Sequence, residues 1–146
     1  MIIYDENGHC ISQFLKRYNH LKSAFTEFKG VIKSELTANE HLGISTEEDT
    51  ETNLKLRFID RYFLIEFSIV KTGEGNFLGS VVFSEINRDR DDEKIKIDQV
   101  YFDDHGNVKE APSSRYSDIN LKQSESSTYL FKYWFSKFIE NNIEKV

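Results

Sequence analysis

At 146 residues and a formal net charge of −6, the chain has the length of one domain and an acidic surface that repels phosphate. That disfavours direct nucleic-acid binding and docking on anionic membranes. Hydrophobic residues make up 38% and aromatics 14%, with twelve Phe and seven Tyr, so the chain can build a core despite its 30% charged content.

The single cysteine, Cys10, excludes an internal disulfide and a thiolate-rich zinc site. No apolar run approaches the ~18 residues of a bilayer span. The opening MIIYDENGHC lacks the basic start of a secretory leader, so the cytoplasm is the expected compartment.

In chain order, the first periodic signal is Ile11, Phe14, Tyr18, Leu21, Phe25, Phe28 and Ile32, at alternating spacings of three and four. Leu15, Ala24, Val31 and Leu36 widen the stripe. This predicts an amphipathic helix over residues 11–37, about 40 Å long at 1.5 Å per residue. Ser12 or Asn7 would cap its start. Gly30 suggests a kink or a close contact, and Gly43 a C-terminal cap if the helix runs through His41. The seam is aromatic, which suits packing on a sheet better than a coiled coil.

Residues 43–53 (GISTEEDTETN) are polar and acidic and read as an exposed connection. From Leu54 the period changes from 3.6 to 2. Leu54, Leu56 and Phe58 alternate with Lys55 and Arg57, Asp60-Arg61 marks a tight turn, and residues 62–71 are apolar on nearly both faces, as in a central strand. Residues 72–76 (TGEGN) are a hairpin loop, and 77–86 a further strand. Residues 87–93 (NRDRDDE) form a charged loop. Residues 94–102 are a fourth strand whose alternation shifts after Ile97, as a bulge near Asp98 or Gln99 would require.

YFDDHGN, residues 101–107, carries carboxylates, an imidazole and a glycine. Counted from Asp103, calcium-loop spacing fails, because position three is His105 and position twelve is Ser114. Asp, Asn and Gly instead fit a hairpin into a short fifth strand at 107–109. Residues 111–127 read as loop. Ser126 or Ser127 would cap a last helix to Asn142, with Tyr129, Leu130, Tyr133, Trp134, Phe138 and Ile139 as its buried stripe and Phe131 and Phe135 widening it.

The expected fold is therefore one α+β domain over residues 1–146: an antiparallel four- to five-stranded meander sheet packed by a long N-terminal helix and a C-terminal helix.

Chemistry is sparse. GEGNFLG lies between strands, so no helix N-terminus receives a pyrophosphate. Cys10 beside His9 reads as a half-buried residue at a helix start rather than a nucleophile. Glu27-x-Lys29 lies in a helix and not on a nuclease strand. No catalytic residue, cofactor or metal ligand is assigned.

What remains is charge. Glu47, Glu48, Asp49 and Glu51, then Asp89, Asp91, Asp92 and Glu93, with Asp103 and Asp104, form acidic loops suited to a basic protein surface. Tyr62, Tyr101, Tyr116 and Tyr129 are candidate anchors. The expected function is a non-catalytic protein-binding module that neutralises or inhibits a basic partner, such as a toxin or nuclease. The alternatives are a small-molecule pocket protein or enzyme built on a curved sheet around a helix, and a structural homodimer.

Overall fold

The computed structural model describes residues 5–146. A helix α1 (Glu6–Ala38) leads through a 3₁₀ turn (Glu40–Leu42) into strands β1 (Ile44–Asp49), β2 (Asn53–Phe58), β3 (Arg61–Lys71), β4 (Phe77–Asn87), β5 (Glu93–Phe102), β6 (Asn107–Lys109) and β7 (Tyr116–Asn120). Helix α2 (Ser124–Asn142) follows. The strands form one sheet in the order β1-β2-β3-β4-β5-β6-β7, every neighbour pair antiparallel. No helix among the described residues is long and apolar enough to cross a membrane.

The α+β class, the two helices and the antiparallel meander match the sequence reading, but the sheet has seven strands rather than four or five. Both added strands, β1 and β7, are edges. The β1 residues lie in the stretch read as a connection, and all but Ile44 are exposed. The β7 residues lie in the stretch read as loop. An edge strand that buries neither face needs no apolar alternation, and charge on it opposes pairing with another chain.

Helix α1 begins earlier than its stripe implies. The Asp5 Oδ1 accepts the Gly8 N–H at 3.0 Å, so Asp5, and not Asn7 or Ser12, is the N-cap. Leu21, Ala24, Phe25, Phe28, Ile32 and Leu36 are buried against the sheet. Ile11 and Leu15 remain 67% and 53% exposed, although Phe14 between them meets Phe77 of β4 edge-on at 5.3 Å. Gly30 neither kinks the helix nor admits a neighbour, since nothing lies within 4 Å of the position a Cβ would take. The helix stops at Ala38, and Gly43, at φ 71°, closes the 3₁₀ turn instead.

Helix α2 starts at Ser124, and its N-cap Gln123 makes no side-chain bond. Ser127 is buried one turn inside, its Oγ donating to the Leu121 carbonyl at 2.8 Å. Leu130, Phe131, Trp134, Phe135 and Phe138 are buried. Tyr129, Tyr133 and Ile139 face solvent, so the stripe is rotated from the expected one. The reason is competition for the seam: Phe131 and Phe135 supply apolar surface with no hydroxyl to satisfy, whereas Tyr129 and Tyr133 stack on each other outside.

Both helices lie on one face of the sheet. Phe63 stacks on Phe83 at 5.6 Å between centroids, and Phe83 on Trp134 at 5.3 Å. Phe28 meets Trp134 edge-on at 5.7 Å, joining the two helices. The extra residue of β5 is Ile97, since Phe83 faces Asp98 and Ser84 faces Lys96. The bulge turns Asp98 toward α2, where its Oδ2 accepts the Trp134 indole N–H at 2.8 Å.

Two glycines are predicted to respond in opposite directions. Gly30→Ala should raise unfolding stability by about 1 kcal/mol, by removing the entropy penalty of a helical glycine. At Gly79 a Cβ would stand 2.2 Å from Cζ of the buried Phe102 ring, so Gly79→Ala should lose about 2–3 kcal/mol. Urea melts of the two variants check both signs.

Candidate functional site

The ten acids singled out from sequence divide into those that hold the fold together and those that face solvent. Asp49 belongs to the first group. Lys29, on α1, is buried, and its ammonium donates to Asp49 Oδ1 at 2.7 Å and to the Thr50 carbonyl. Lys33 reaches the other oxygen of Asp49. Hydrogen bonds from Lys29 and then Lys33 hold the Asp49 carboxyl below its ordinary range. Glu51 pairs with Lys22 at 3.5 Å, and Asp104 with Arg17 at 2.8 Å. These acids tie α1 to the sheet.

Asp103 works inside its own turn. Its Oδ1 accepts the backbone N–H of His105 at 3.0 Å and of Asn107 at 2.9 Å. Gly106 sits at φ 86°, where a Cβ would meet Asn120 Oδ1 at 2.8 Å. YFDDHGN is thus the hairpin between β5 and β6. The Tyr116 phenol is held above its ordinary pKa, first by burial and then by the nearby Asp103.

Glu47 and Glu48 stand exposed on the outer edge, Glu47 in the bulge of β1. Asp89, Asp91, Asp92 and Glu93 are exposed in the β4–β5 hairpin, and no ion pair among the described residues engages them. The structure does not gather all of these acids into one face. The β4–β5 and β5–β6 turns lie at opposite ends of β5, about 30 Å apart at 3.3 Å per residue.

What the sheet does bring together is a second turn beside the β4–β5 hairpin. Tyr62 pairs with Ile86, so the β2–β3 and β4–β5 turns emerge from the same end. The expected turn at Asp60-Arg61 is in fact Ile59-Asp60, at φ 48° and 62°. Asp91-Asp92, at φ 54° and 57°, adopts the same left-handed pair. Asp tolerates this region, but a β-branched side chain there is strained. Ile59 is nevertheless 55% exposed and held there with little packing in return. Between the turns an open cleft of about 430 Å³ is lined by Asp60, Arg61, Tyr62, Glu85, Arg88 and Asp89.

The local arginines are largely engaged. Arg57 bonds Asp60 at 2.8 Å, Arg61 pairs with Glu85 at 3.4 Å, and the Arg88 guanidinium stacks 3.5 Å from the Tyr62 ring centroid. The β4–β5 hairpin carries Arg88 and Arg90 against Asp89, Asp91, Asp92 and Glu93. The end therefore presents an exposed apolar tip in a charged surround, where the hairpin's four acids outnumber its two arginines.

No family model, curated protein or solved structure matches the chain. Ile59 escaped the sequence reading because Asp60-Arg61 carries the polar signature of a turn, whereas an isoleucine before it looks like the last residue of a strand. Of the tyrosine anchors, Tyr62, Tyr101 and Tyr116 fall on the sheet face away from the helices, and Tyr129 on the exposed side of α2.

The Asp49 clamp has a pH signature. A carboxylate with a depressed folded pKa stabilises fully above its unfolded value, near 3.9, and loses that contribution as pH falls through the folded value. Asp49→Asn should cost about 2 kcal/mol at neutral pH, and its difference from the parent chain should shrink below about pH 4. Chemical melts at several pH values would expose the opposite trend if the clamp did not work this way.

Proposed function

We propose that the chain is a non-catalytic protein-binding module that docks a basic protein surface against the sheet end formed by the Ile59-Asp60 and Asp91-Asp92 turns. The observation that carries the reading is Ile59. It lies in a strained conformation, exposed, at the same sheet end as Asp89, Asp91, Asp92 and Glu93, none of which forms an ion pair among the described residues. An apolar tip inside a charged surround has the anatomy of an interface anchor: the tip is desolvated on docking and the charges steer the encounter. Local strain that packing does not repay is a pointer to function rather than to stability.

A partner that handles phosphates presents the complementary basic surface, so a nuclease-type toxin is the first class to test, with neutralisation by occlusion as the mechanism. Glu47 and Glu48, on the edge strand, extend the acidic surface but lack an apolar anchor. The interior argues against a ligand cavity, because the rings that would line one contact each other at centroid distances of 4.8 Å for Phe63–Phe138 and 5.0 Å for Phe63–Phe135.

The test is retention of host proteins on the immobilised chain. A basic partner should be held at low salt and released as salt rises. Reversing Asp89, Asp91 and Asp92 to Lys should weaken its retention by about tenfold or more. Ile59→Asn should also weaken it while raising unfolding stability by about 1 kcal/mol, because Asn accepts the left-handed region. Retention of an acidic protein only, or of a basic one indifferent to both variants, would sink the proposal.

A further inference from the structure

The sheet face opposite the helices is charged with the other sign. Pleat alternation and strand register put Arg57, Tyr62, Ile86 and Lys94 in one cross-strand row, and Lys55, Leu64, Ser84 and Lys96 in the next. Lys55 and Arg57 thus form one cationic rail on β2, and Lys94 and Lys96 a second on β5. The rails are three strand spacings apart, about 14 Å. Between them run β3 and β4, with Leu64, Val82 and Ile86 on the floor and Glu66 beside Val82. Leu64 is buried yet lies outside the core cluster.

Three of the four rail cations have a carboxylate nearby, each pairing exposed and weak: Lys94 pairs with Glu66 at 3.1 Å, Arg57 with Asp60, and Glu48 of β1 stands opposite Lys55. Lys96 bonds the Gln99 amide oxygen at 3.1 Å, and Lys55 stands 5.5 Å from the Tyr62 ring centroid. In a chain of net charge −6, a face on which Lys55, Arg57, Arg88, Lys94 and Lys96 outnumber Glu48, Asp60 and Glu66 favours an external anion.

The geometry points to a second docking surface, one that takes an acidic amphipathic helix of a partner protein. A helix is about 10–12 Å across with its side chains, which fits between rails about 14 Å apart. Its apolar stripe would rest on the floor while Glu or Asp on its two flanks meets the rails. A nucleic-acid strand fits less well. Tyr62 is capped by Arg88 and Tyr116 by Lys109, at 3.5 and 4.4 Å, so these rings do not offer a clear face for base stacking. The acidic turns at the end of the sheet would also repel a long polyphosphate. A second copy docked face to face would oppose like charges.

The experiment uses the full chain and a fluorescein-labelled peptide of about eighteen residues, with Leu along one helical face and Glu on both flanks. Anisotropy at low salt should show binding about tenfold or more tighter than for a scrambled peptide of the same composition. The paired variants Lys55→Glu with Arg57→Glu, and Lys94→Glu with Lys96→Glu, should each weaken binding by about tenfold, with thermal melts checking their fold. On the unaltered chain, the peptide should protect Lys55, Lys94 and Lys96 from acetylation but leave Lys16 and Lys145 reactive. Equal binding of the scrambled peptide, no protection of the rail lysines, or tighter binding of an oligothymidylate of similar charge would each overturn the inference. Because Asp89, Asp91 and Asp92 are left intact, its failure would not touch the reading of the acidic end.

Discussion

Both helices pack on the same side of a sheet whose strands follow one another through hairpins, and the rest of the molecule answers to that one-sidedness. One face must be dry enough to hold Phe63, Phe83 and Trp134 in ring contact, while the other must meet water with no element over it. Each strand therefore carries two chemistries in alternation. In β3, Phe63, Ile65 and Phe67 go inward, and Tyr62, Glu66 and Ser68 outward. The open face meets the requirement with lysines and arginines whose heads stay wet.

The same constraint sorts the acids. Helix α1 must be fastened along its length to a sheet it covers only in part, and carboxylates on the sheet side supply the fasteners. Asp49 receives Lys29 and Lys33, Glu51 receives Lys22, and Asp104 receives Arg17. Breaking the first of these would leave a buried ammonium with only a carbonyl partner. The acids of the β4–β5 hairpin fasten nothing. An acidic net charge thus hides two populations, one internal to the architecture and one presented outward, with a cationic sheet face beside the second.

How much of this was legible in the sequence follows from where each residue's energy comes from. Strands β2 to β5 and both helices announce themselves, because burial imposes a period on Leu54, Leu56, Phe63 and Phe25 alike. The bulge was visible as a shift of phase after Ile97. The edge strands were not visible, since hydrogen bonding to one neighbour imposes no side-chain pattern on Ile44–Asp49 or Tyr116–Asn120. The rotation of α2 turned on a hydroxyl, a difference that apolar periodicity does not register. The acids could be named but not divided, because whether Asp49 or Asp91 meets a lysine depends on the packing of α1. The unusual backbone of Ile59 was hidden because propensity assigns an isoleucine to a strand.

The linear strand order also sets the sequence of assembly. Each hairpin closes over a short loop, so strand pairing needs only local search. The contacts that seal the interior, Phe28 with Trp134 and Glu35 with Lys132, join segments roughly a hundred residues apart. Until that long closure occurs, the meander has no cover for the rings of Phe63 and Phe83. Any loosening of these end-to-end contacts would bare an aromatic sheet face that neighbouring chains could bury instead.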